Sequence, residues 1–340
     1  MNILGIESTC DETAVAVVKD GREVLSSVVL SQINAHREFG GVVPEVAARS
    51  HIEAMLPVIQ KALSQAKIDW NRVDAIAVAN RPGLSGSVLI GVLTAKTLAL
   101  VKQKPLFGVD HVVAHTYANW LGKHIPQFPL LSLTVSGGHT QLMLFRDHDQ
   151  YEILGKTRDD AVGEAFDKVA KLLGLPYPGG PAISKAAQNG DKHAYRFPEA
   201  KLSQPYEFSF SGLKTAVLRH LQQLVGKDYS FPSFEIAPLL TQQQINDTAA
   251  SFQQTAINVL VKKTLAVYRK FQPKSVALAG GVAANQELRL QLASALPIPL
   301  LRPAIEYCTD NAAMIAALGF FNAQKSEPES PLLLEALPQP

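Results

Sequence analysis

The chain has 340 residues, of which 47% are hydrophobic and 18% charged, so it is long enough for two domains and apolar enough to exclude wholesale disorder. A net charge of +2 argues against a protein that coats nucleic acid, although a local basic patch would still allow such a partner. The two cysteines, Cys10 and Cys308, exclude a disulfide scaffold and a cysteine-based zinc site and favour a cytoplasmic location. We expect no membrane span, because Lys96 interrupts the most apolar stretch, residues 87–101.

The first half of the sequence predicts three strands followed by alternating helices and strands. These are strands at 2–7, 13–19 and 23–30, a helix at 44–67, a strand at 73–79, a helix at 87–102, a strand at 105–109 and a helix containing His111 and His115. Asp20 and Gly21 provide a hairpin turn. Pro44 begins the long helix, in which apolar residues recur at helical spacing.

The second half repeats this order of elements. It predicts strands at 130–135, 140–145 and 151–156, a helix at 242–271, a strand at 275–279, a helix at 286–295, a strand at 299–302 and a helix from Thr309 onward. The repetition predicts an α/β fold with two duplicated lobes. This is the actin-like (ASKHA) architecture, in which ligands bind in the cleft between the lobes.

We therefore expect an N-terminal lobe at residues 1–128 and a C-terminal lobe at residues 129–310. The second lobe carries an insertion at about 158–238, and the helix at 311–324 packs back on the first lobe. The segment 325–340 is rich in Ser, Glu and Pro and is predicted to be a flexible tail.

In each half, one turn follows the first strand. The turn SGGHT at 136–140 contains two glycines whose N–H groups would form a phosphate-binding nest, although Gly-Gly is also common in plain hairpins. The turn STCDE at 8–12 is acidic. It is either a solvated loop or a pair of carboxylates that hold a metal or act as a base.

The segment GGVAAN at 280–285 joins a buried strand to a helix, where small residues allow close approach of a nucleotide. Ordinary strand-to-helix packing is the alternative. The chain contains neither a GxGxxG fingerprint in this position nor a GxxxxGK[ST] motif, which disfavours dinucleotide enzymes and P-loop enzymes. Asp167 lies on an acidic helical stretch and is a candidate for bonding a ribose or an amine.

His111 and His115 are four residues apart, which places both imidazoles on one helix face. A lone HxxxH is more often two unrelated histidines. The internal repeat, however, puts Asp310 opposite the pair, and a His-His-Asp set suits iron or zinc with positions left open for a ligand. A zincin protease is disfavoured because Val112 replaces the glutamate of HExxH.

Five motifs in order resemble those of the bacterial tRNA N6-threonylcarbamoyladenosine transferase family, whose universal relatives were once described as O-sialoglycoprotein endopeptidases. They are GIESTCDET at 5–13, HVVAH at 111–115, VSGGHT at 135–140, GEAFDK at 163–168 with PGGP at 178–181, and CTDN at 308–311. The resemblance covers about residues 2–322. Two departures are Ser8-Thr9 in place of Thr-Ser and Arg81 in place of the first glycine of Gly-Pro-Gly.

The resemblance implies transfer of a threonylcarbamoyl group from threonylcarbamoyl-AMP to N6 of adenosine 37, in tRNAs that read codons beginning with A. It implies an iron ion, with zinc as the alternative, bound by His111, His115 and Asp310. It places the reacting carbonyl near Asp11 and Glu12. The implied substrate-binding residues are Thr134, Val135, Ser136, Gly137, Gly138, Asp167, Gly180 and Asn285.

The implied partners are tRNA, an inactive paralogue of the same fold and a P-loop ATPase. The long helix at 44–67 is our candidate for the face on which the paralogue docks. Three other functions remain open from the residues alone: an actin-like ATPase or small-molecule kinase, a non-catalytic nucleotide-binding scaffold, and a metalloprotease. The first of these fits the glycine turns but gives no reason for the His-His-Asp set.

Overall fold

The structure, a computed structural model, describes residues 1–339 and divides into two compact units. The first unit comprises residues 1–126, Asp147–Gln150 and residues 301–339, and the second comprises Gln127–Arg146 and Tyr151–Leu300. Asp310 therefore lies in the same unit as His111 and His115.

The strands are β1 (Asn2–Glu7), β2 (Glu12–Lys19), β3 (Glu23–Ser31), β4 (Ala75–Arg81), β5 (Leu106–Asp110), β6 (Leu130–Val135), β7 (Thr140–Phe145), β8 (Tyr151–Lys156), β9 (Ser275–Ala279) and β10 (Leu300–Leu301). The helices are α1 (Ile33–Arg37), α2 (Pro44–Ala66), α3 (Ser85–Lys102), α4 (His111–Tyr117), α5 (Val162–Leu172), α6 (Gly179–Ala187), α7 (Ser211–Leu224), α8 (Gln242–Phe271), α9 (Gln286–Ala295) and α10 (Ala312–Ala323).

The sheet of the first unit has the strand order β3-β2-β1-β4-β5. β1, β2 and β3 pair antiparallel, and β1, β4 and β5 pair parallel. The sheet of the second unit has the order β10-β9-β6-β7-β8, with β6, β7 and β8 antiparallel and β6 parallel to β9. The same sequence of pairings in both sheets confirms the predicted α/β fold with duplicated units. α1, α6 and α7 were not predicted. α1 and α6 have only five and nine residues, too few for a clear periodicity, whereas the buried stripe of Leu213, Val217 and Leu221 in α7 was overlooked.

On one face of the first sheet, α2 and α3 bury an apolar core that includes Leu4, Ile6, Met55, Ile59 and Val92. Full burial of such a side chain contributes roughly 1.5–3 kcal/mol. α3 is the one helix in the described part of the chain that is long and apolar enough to cross a membrane. Here it packs against β4 and α2.

On the other face, α10 lies unusually close to the sheet. A Cβ on Gly5 would come within 2.3 Å of the Ala312 carbonyl oxygen, and one on Gly319 within 2.3 Å of Ala77 Cβ. Gly5 thus lets β1 approach the backbone of α10, and Gly319 lets α10 approach β4. This close packing fixes the start of α10 and, just before it, Asp310.

The long helix α8 begins with a capping box, in which Thr241 Oγ1 accepts from the Gln244 N–H and the Gln244 side chain accepts from the Thr241 N–H. The predicted bounds of this helix, 242–271, coincide with those observed.

The C-terminal segment differs from the flexible tail that its composition predicts. Glu329 N–H donates to the Leu106 carbonyl beside β5, Leu337 N–H to the Asn80 carbonyl and Gly83 N–H to the Pro338 carbonyl. Leu334 is 3% exposed within the apolar core of the first unit. The burial of this leucine and the backbone bonds offset the entropy of ordering a Pro- and Ser-rich segment.

We predict that Leu334→Ala lowers the free energy of unfolding by about 2 kcal/mol or more, because a cavity is left in a packed core. Leu333→Ala is the matched control, since Leu333 is 77% exposed. Denaturant titration of both variants measures the difference. Equal midpoints for the two would show that this segment is not packed.

Candidate functional site

His111, His115 and Asp310 converge within the first unit. Nε2 of His111 lies 3.5 Å and Nε2 of His115 lies 3.4 Å from Asp310 Oδ1, and ligand atoms of all three lie within 4.8 Å of one another. Ligands held at about 2.1 Å from one ion in tetrahedral directions are about 3.4 Å apart. The spacing therefore fits a single metal ion.

His115 supplies a chemical test of that fit. It is fully buried, and within residues 1–339 neither of its ring nitrogens makes a regular hydrogen bond. Burial lowers its pKa, against the opposing effect of Asp310. A neutral, buried imidazole with an unsatisfied nitrogen is costly unless it binds a ligand, so His115 is suited to be a metal ligand.

Glu7 orients the other histidine. This buried carboxylate accepts from His111 Nδ1 at 2.8 Å and from the Thr9 N–H at 2.6 Å. Burial disfavours the charged imidazole, but Glu7 and Asp310 outweigh it and raise the pKa of His111 to about 10. The bond at Nδ1 directs Nε2 towards Asp310, the arrangement of a carboxylate–histidine–metal triad.

The helix that carries both histidines is fixed at its first residue. Asp110 caps α4 by accepting from the N–H groups of Val112 and Val113 at 2.9 and 3.0 Å. Arg81, one of the departures from the family motif, lies opposite Asp110 in the β4–β5 pairing, with its Nε 3.6 Å from Asp110 Oδ2. The guanidinium of Arg81 thus pairs with Asp110, the residue that caps α4, rather than with His111, His115 or Asp310.

The acidic turn of Cys10, Asp11 and Glu12 is electrostatically coupled to Asp310. Burial, then Asp310 and Asp11, raise the pKa of Glu12 to about 9, so Glu12 is protonated at neutral pH in the metal-free protein. Burial and then Asp11 raise the pKa of the Cys10 thiol far above its usual value. A raised pKa disfavours the thiolate, which is the form that a nucleophilic cysteine needs.

The glycine turn lies in the second unit between β6 and β7, and it is closed by the Ser136 N–H bond to the His139 carbonyl. Gly137 and Gly138 are exposed, and a Cβ on either would meet nothing within 4 Å. The start of α5 lies against this turn, because Glu164 N–H donates to the Gly137 carbonyl at 3.1 Å. An open Gly-Gly turn beside a helix N-terminus favours an anion.

Thr134 and Val135 precede this turn, and both are fully buried in β6. Their backbones pair with Gln141 and Thr140 of β7. Gly280, at φ 88°, lies so close to Val135 that a Cβ would come within 2.3 Å of the Val135 carbonyl oxygen. The two residues therefore form the packed base of the turn.

Asp167 and Gly180 lie on either side of one close contact. Asp167 Oδ1 accepts from the Gly179 N–H at 2.6 Å, next to Gly180 at the start of α6. Gly180 itself has open space where a Cβ would stand. Asp167 thus fixes the PGGP segment, and Gly180 offers an accessible backbone.

Asn285 has a structural environment that the sequence did not predict. Its Oδ1 caps α9 by accepting from the Leu288 N–H at 3.0 Å. Its Nδ2 donates to Ser184 Oγ at 2.9 Å and to Gln253 Oε1 at 2.8 Å. The side chain therefore links α6, α8 and α9.

Sequence reasoning missed Glu7 and His51. Glu7 is the charged last residue of an otherwise apolar strand, and that position was its signal. His51 lies on the buried face of α2 between Ala47 and Met55, at helical spacing. A histidine within an apolar stripe was the available signal, although most such residues simply fill a core.

Comparison with known sequences gives full-length matches. Residues 23–317 match the family described as tRNA N6-adenosine threonylcarbamoyltransferase. Proteins of that name from Thermomicrobium roseum and Dehalococcoides mccartyi are each 50% identical, over 96% and 94% of this chain and 93% of each relative. One from Caldicellulosiruptor saccharolyticus is 48% identical over 97% of this chain and 95% of the relative.

Comparison with solved structures shows the fold. Component A of the (R)-2-hydroxyglutaryl-CoA dehydratase of Acidaminococcus fermentans matches with a TM-score of 0.51 at 13% identity, over 96% of this chain and 100% of that one. Full-length HypF in its phosphate- and nucleotide-bound form matches with a TM-score of 0.62 at 14% identity, over 96% of this chain and 47% of that one. The actin-like fold predicted from the repeat is confirmed.

We predict that Glu7→Gln weakens metal binding about 10- to 100-fold, because the amide no longer holds the proton of His111 Nδ1 as a carboxylate does. Isothermal titration of the metal-free chain with Fe²⁺ under anaerobic conditions measures this affinity. Glu23→Gln, at an exposed position, is the control. Unchanged affinity in Glu7→Gln would contradict the orienting role.

Proposed function

Since the chain belongs to the tRNA N6-adenosine threonylcarbamoyltransferase family, we propose that its donor is threonylcarbamoyl-AMP and that its acceptor is adenosine 37 of tRNAs reading codons that begin with A. The enzyme transfers a threonylcarbamoyl group to N6 of adenosine in tRNA. Two observations support the proposal together. The chain is 50% identical to family members over almost its whole length, and the ligand atoms of His111, His115 and Asp310 converge.

The family implies a bound metal ion, and iron is the ion that we propose. Two imidazoles and one carboxylate with open positions form a ligand set typical of ferrous iron, and zinc accepts the same ligands. When bound, the ion supplies positive charge for an electron-rich oxygen of the donor. The contribution of the chain is to hold His111 through Glu7 and α4 through Asp110.

We propose that the glycine turn binds the phosphate of the donor. Its support is the exposed Gly137 and Gly138 backbone and the adjacent N-terminus of α5. Ser136 closes the turn, while Thr134 and Val135 hold it in β6. Asp167, Gly180 and Asn285 complete the proposed substrate-binding set, with Asn285 acting largely by fixing the helices around it.

The proposed chemistry needs no nucleophilic side chain, because the donor is already an activated anhydride. N6 of adenosine bonds to the carbamoyl carbon, the bond from that carbon to the phosphate oxygen breaks, and AMP leaves with the electron pair. Asp11 takes the proton that N6 loses. Glu12, whose pKa of about 9 keeps it protonated in the metal-free protein, is suited to donate a hydrogen bond rather than to accept the proton.

We further propose three aspects of the cellular setting. The protein acts in the cytoplasm, with an inactive paralogue of its fold and a P-loop ATPase. The outer face of α2, where Ile52 and Leu56 are each 61% exposed, is the proposed docking face for the paralogue, since exposed apolar side chains that lie together favour a protein–protein contact.

Asp11→Asn is predicted to lower the rate of threonylcarbamoyl transfer about 100-fold or more, because the amide cannot accept the proton. The readout is mass spectrometry of tRNA nucleosides after incubation with threonylcarbamoyl-AMP and the partner proteins. Donor affinity, measured separately, stays unchanged. Wild-type turnover by Asp11→Asn would remove Asp11 from the mechanism. A separate result bears on the function as a whole: ATP hydrolysis or sugar phosphorylation at ordinary rates by the wild-type chain would favour a kinase-like function instead.

For the docking face, we predict that Leu56→Asp abolishes association with the paralogue in size-exclusion chromatography. Leu290→Asp is the control, because Leu290 is 63% exposed on α9 of the second unit. Co-elution of Leu56→Asp with the paralogue would place the interface elsewhere.

A further inference from the structure

We propose that His51 is a positioning residue for threonylcarbamoyl transfer: its Nε2–H holds the carbonyl of Cys10 and thereby fixes the direction of Asp11. The inference rests on the proposed role of the acidic turn. It goes beyond that role by assigning a residue of α2 to the reaction. His51 touches none of the proposed ligands and acts through the backbone.

The hydrogen bonds around His51 determine its tautomer. Gln32 Nε2, which can only donate, lies 3.4 Å from His51 Nδ1, and Thr13 Oγ1 lies 2.8 Å from it. Burial lowers the pKa of His51, so the ring is neutral at pH 7. Because Nδ1 accepts, Nε2 carries the proton and donates to the Cys10 carbonyl at 3.1 Å.

The hydrogen bond from His51 to the Cys10 carbonyl affects Asp11 because the two residues share a peptide unit. The Cys10 carbonyl belongs to the planar peptide unit that also contains the Asp11 nitrogen. Fixing that oxygen fixes the plane and hence the direction in which Asp11 leaves the turn. Gln32 N–H holds the other side of Asp11 by donating to its carbonyl at 2.9 Å. The reacting carboxylate is thus set between two anchors.

The turn needs such anchors because it gathers like charges. Asp11 and Asp310 both contribute to the raised pKa of Glu12, which shows the electrostatic cost of grouping these carboxyls. Ser87 Oγ also donates to the Cys10 carbonyl, at 3.3 Å. His51 is the anchor from α2.

Two substitutions separate positioning from packing. The amide nitrogen of His51→Gln can occupy the place of Nε2 and keep the donor to Cys10. The amide of His51→Asn reaches only the place of Nδ1, so it keeps the bond with Thr13 and loses the donor. His220→Asn is the control, because His220 lies on α7 of the second unit and packs against Tyr195 and Phe197 rather than against the acidic turn or its anchors.

We expect His51→Asn to lower kcat for threonylcarbamoyl transfer on the order of 10- to 100-fold, as displaced catalytic groups do, with KM for tRNA and iron content unchanged. His51→Gln restores kcat to within about threefold of wild type, by the same argument of orientation. His220→Asn keeps the wild-type kcat, although loss of the ring contacts with Tyr195 and Phe197 lowers the melting temperature.

Three results would overturn the inference. The first is a wild-type kcat for His51→Asn. The second is an equal decrease in kcat for His51→Asn and His51→Gln that parallels the decrease in their melting temperatures. The third is full activity of Asp11→Asn, which would remove the premise. Loss of activity in Asp11→Asn alongside an active His51→Asn refutes the positioning role and leaves the proposed function intact.

Discussion

The hydrogen bond from His111 Nδ1 to Glu7 is the interaction on which the site of the first unit depends. It joins the end of β1 to the first residue of α4 over 104 positions of sequence. It also commits Nε2 of His111 to the side where Asp310 and His115 lie. Without the buried carboxylate, Nδ1 of His111 would lose its charged partner, and the orientation of Nε2 towards Asp310 would be less firmly held.

The rest of the first unit serves that arrangement through close packing. Gly5 and Gly319 bring α10 onto the sheet, so Asp310 is placed by a helix rather than by a mobile loop. The acidic turn is held between Ser87, Gln32 and His51. The second unit presents a different surface, an open glycine turn beside α5. The first unit thus carries the His-His-Asp set and the acidic turn, while the second offers N–H groups suited to an anion.

Much of this was predictable from the sequence because the signals were local. Strand alternation, the Pro44 helix start and the internal repeat gave the order of elements in both units. His111, His115 and Asp310 were found through their spacing and the repeat. What was missed depends on tertiary contacts. The repeat assigned Asp310 to the second half, whereas the chain after Leu301 returns to the first unit. Asn285 and His51 carry no distinctive pattern, and the burial of Leu334 cannot be read from a segment rich in Pro and Ser.

We propose that His111, His115 and Asp310 hold one iron ion and that Glu7 orients His111 towards it. Anomalous diffraction from crystals of the full-length chain grown anaerobically with Fe²⁺, recorded on both sides of the iron absorption edge, tests it most directly. We expect a single strong anomalous peak within bonding distance of both Nε2 atoms and of Asp310, with Nδ1 of His111 still hydrogen-bonded to Glu7. A peak elsewhere, or none at these residues in crystals that contain iron, would contradict it.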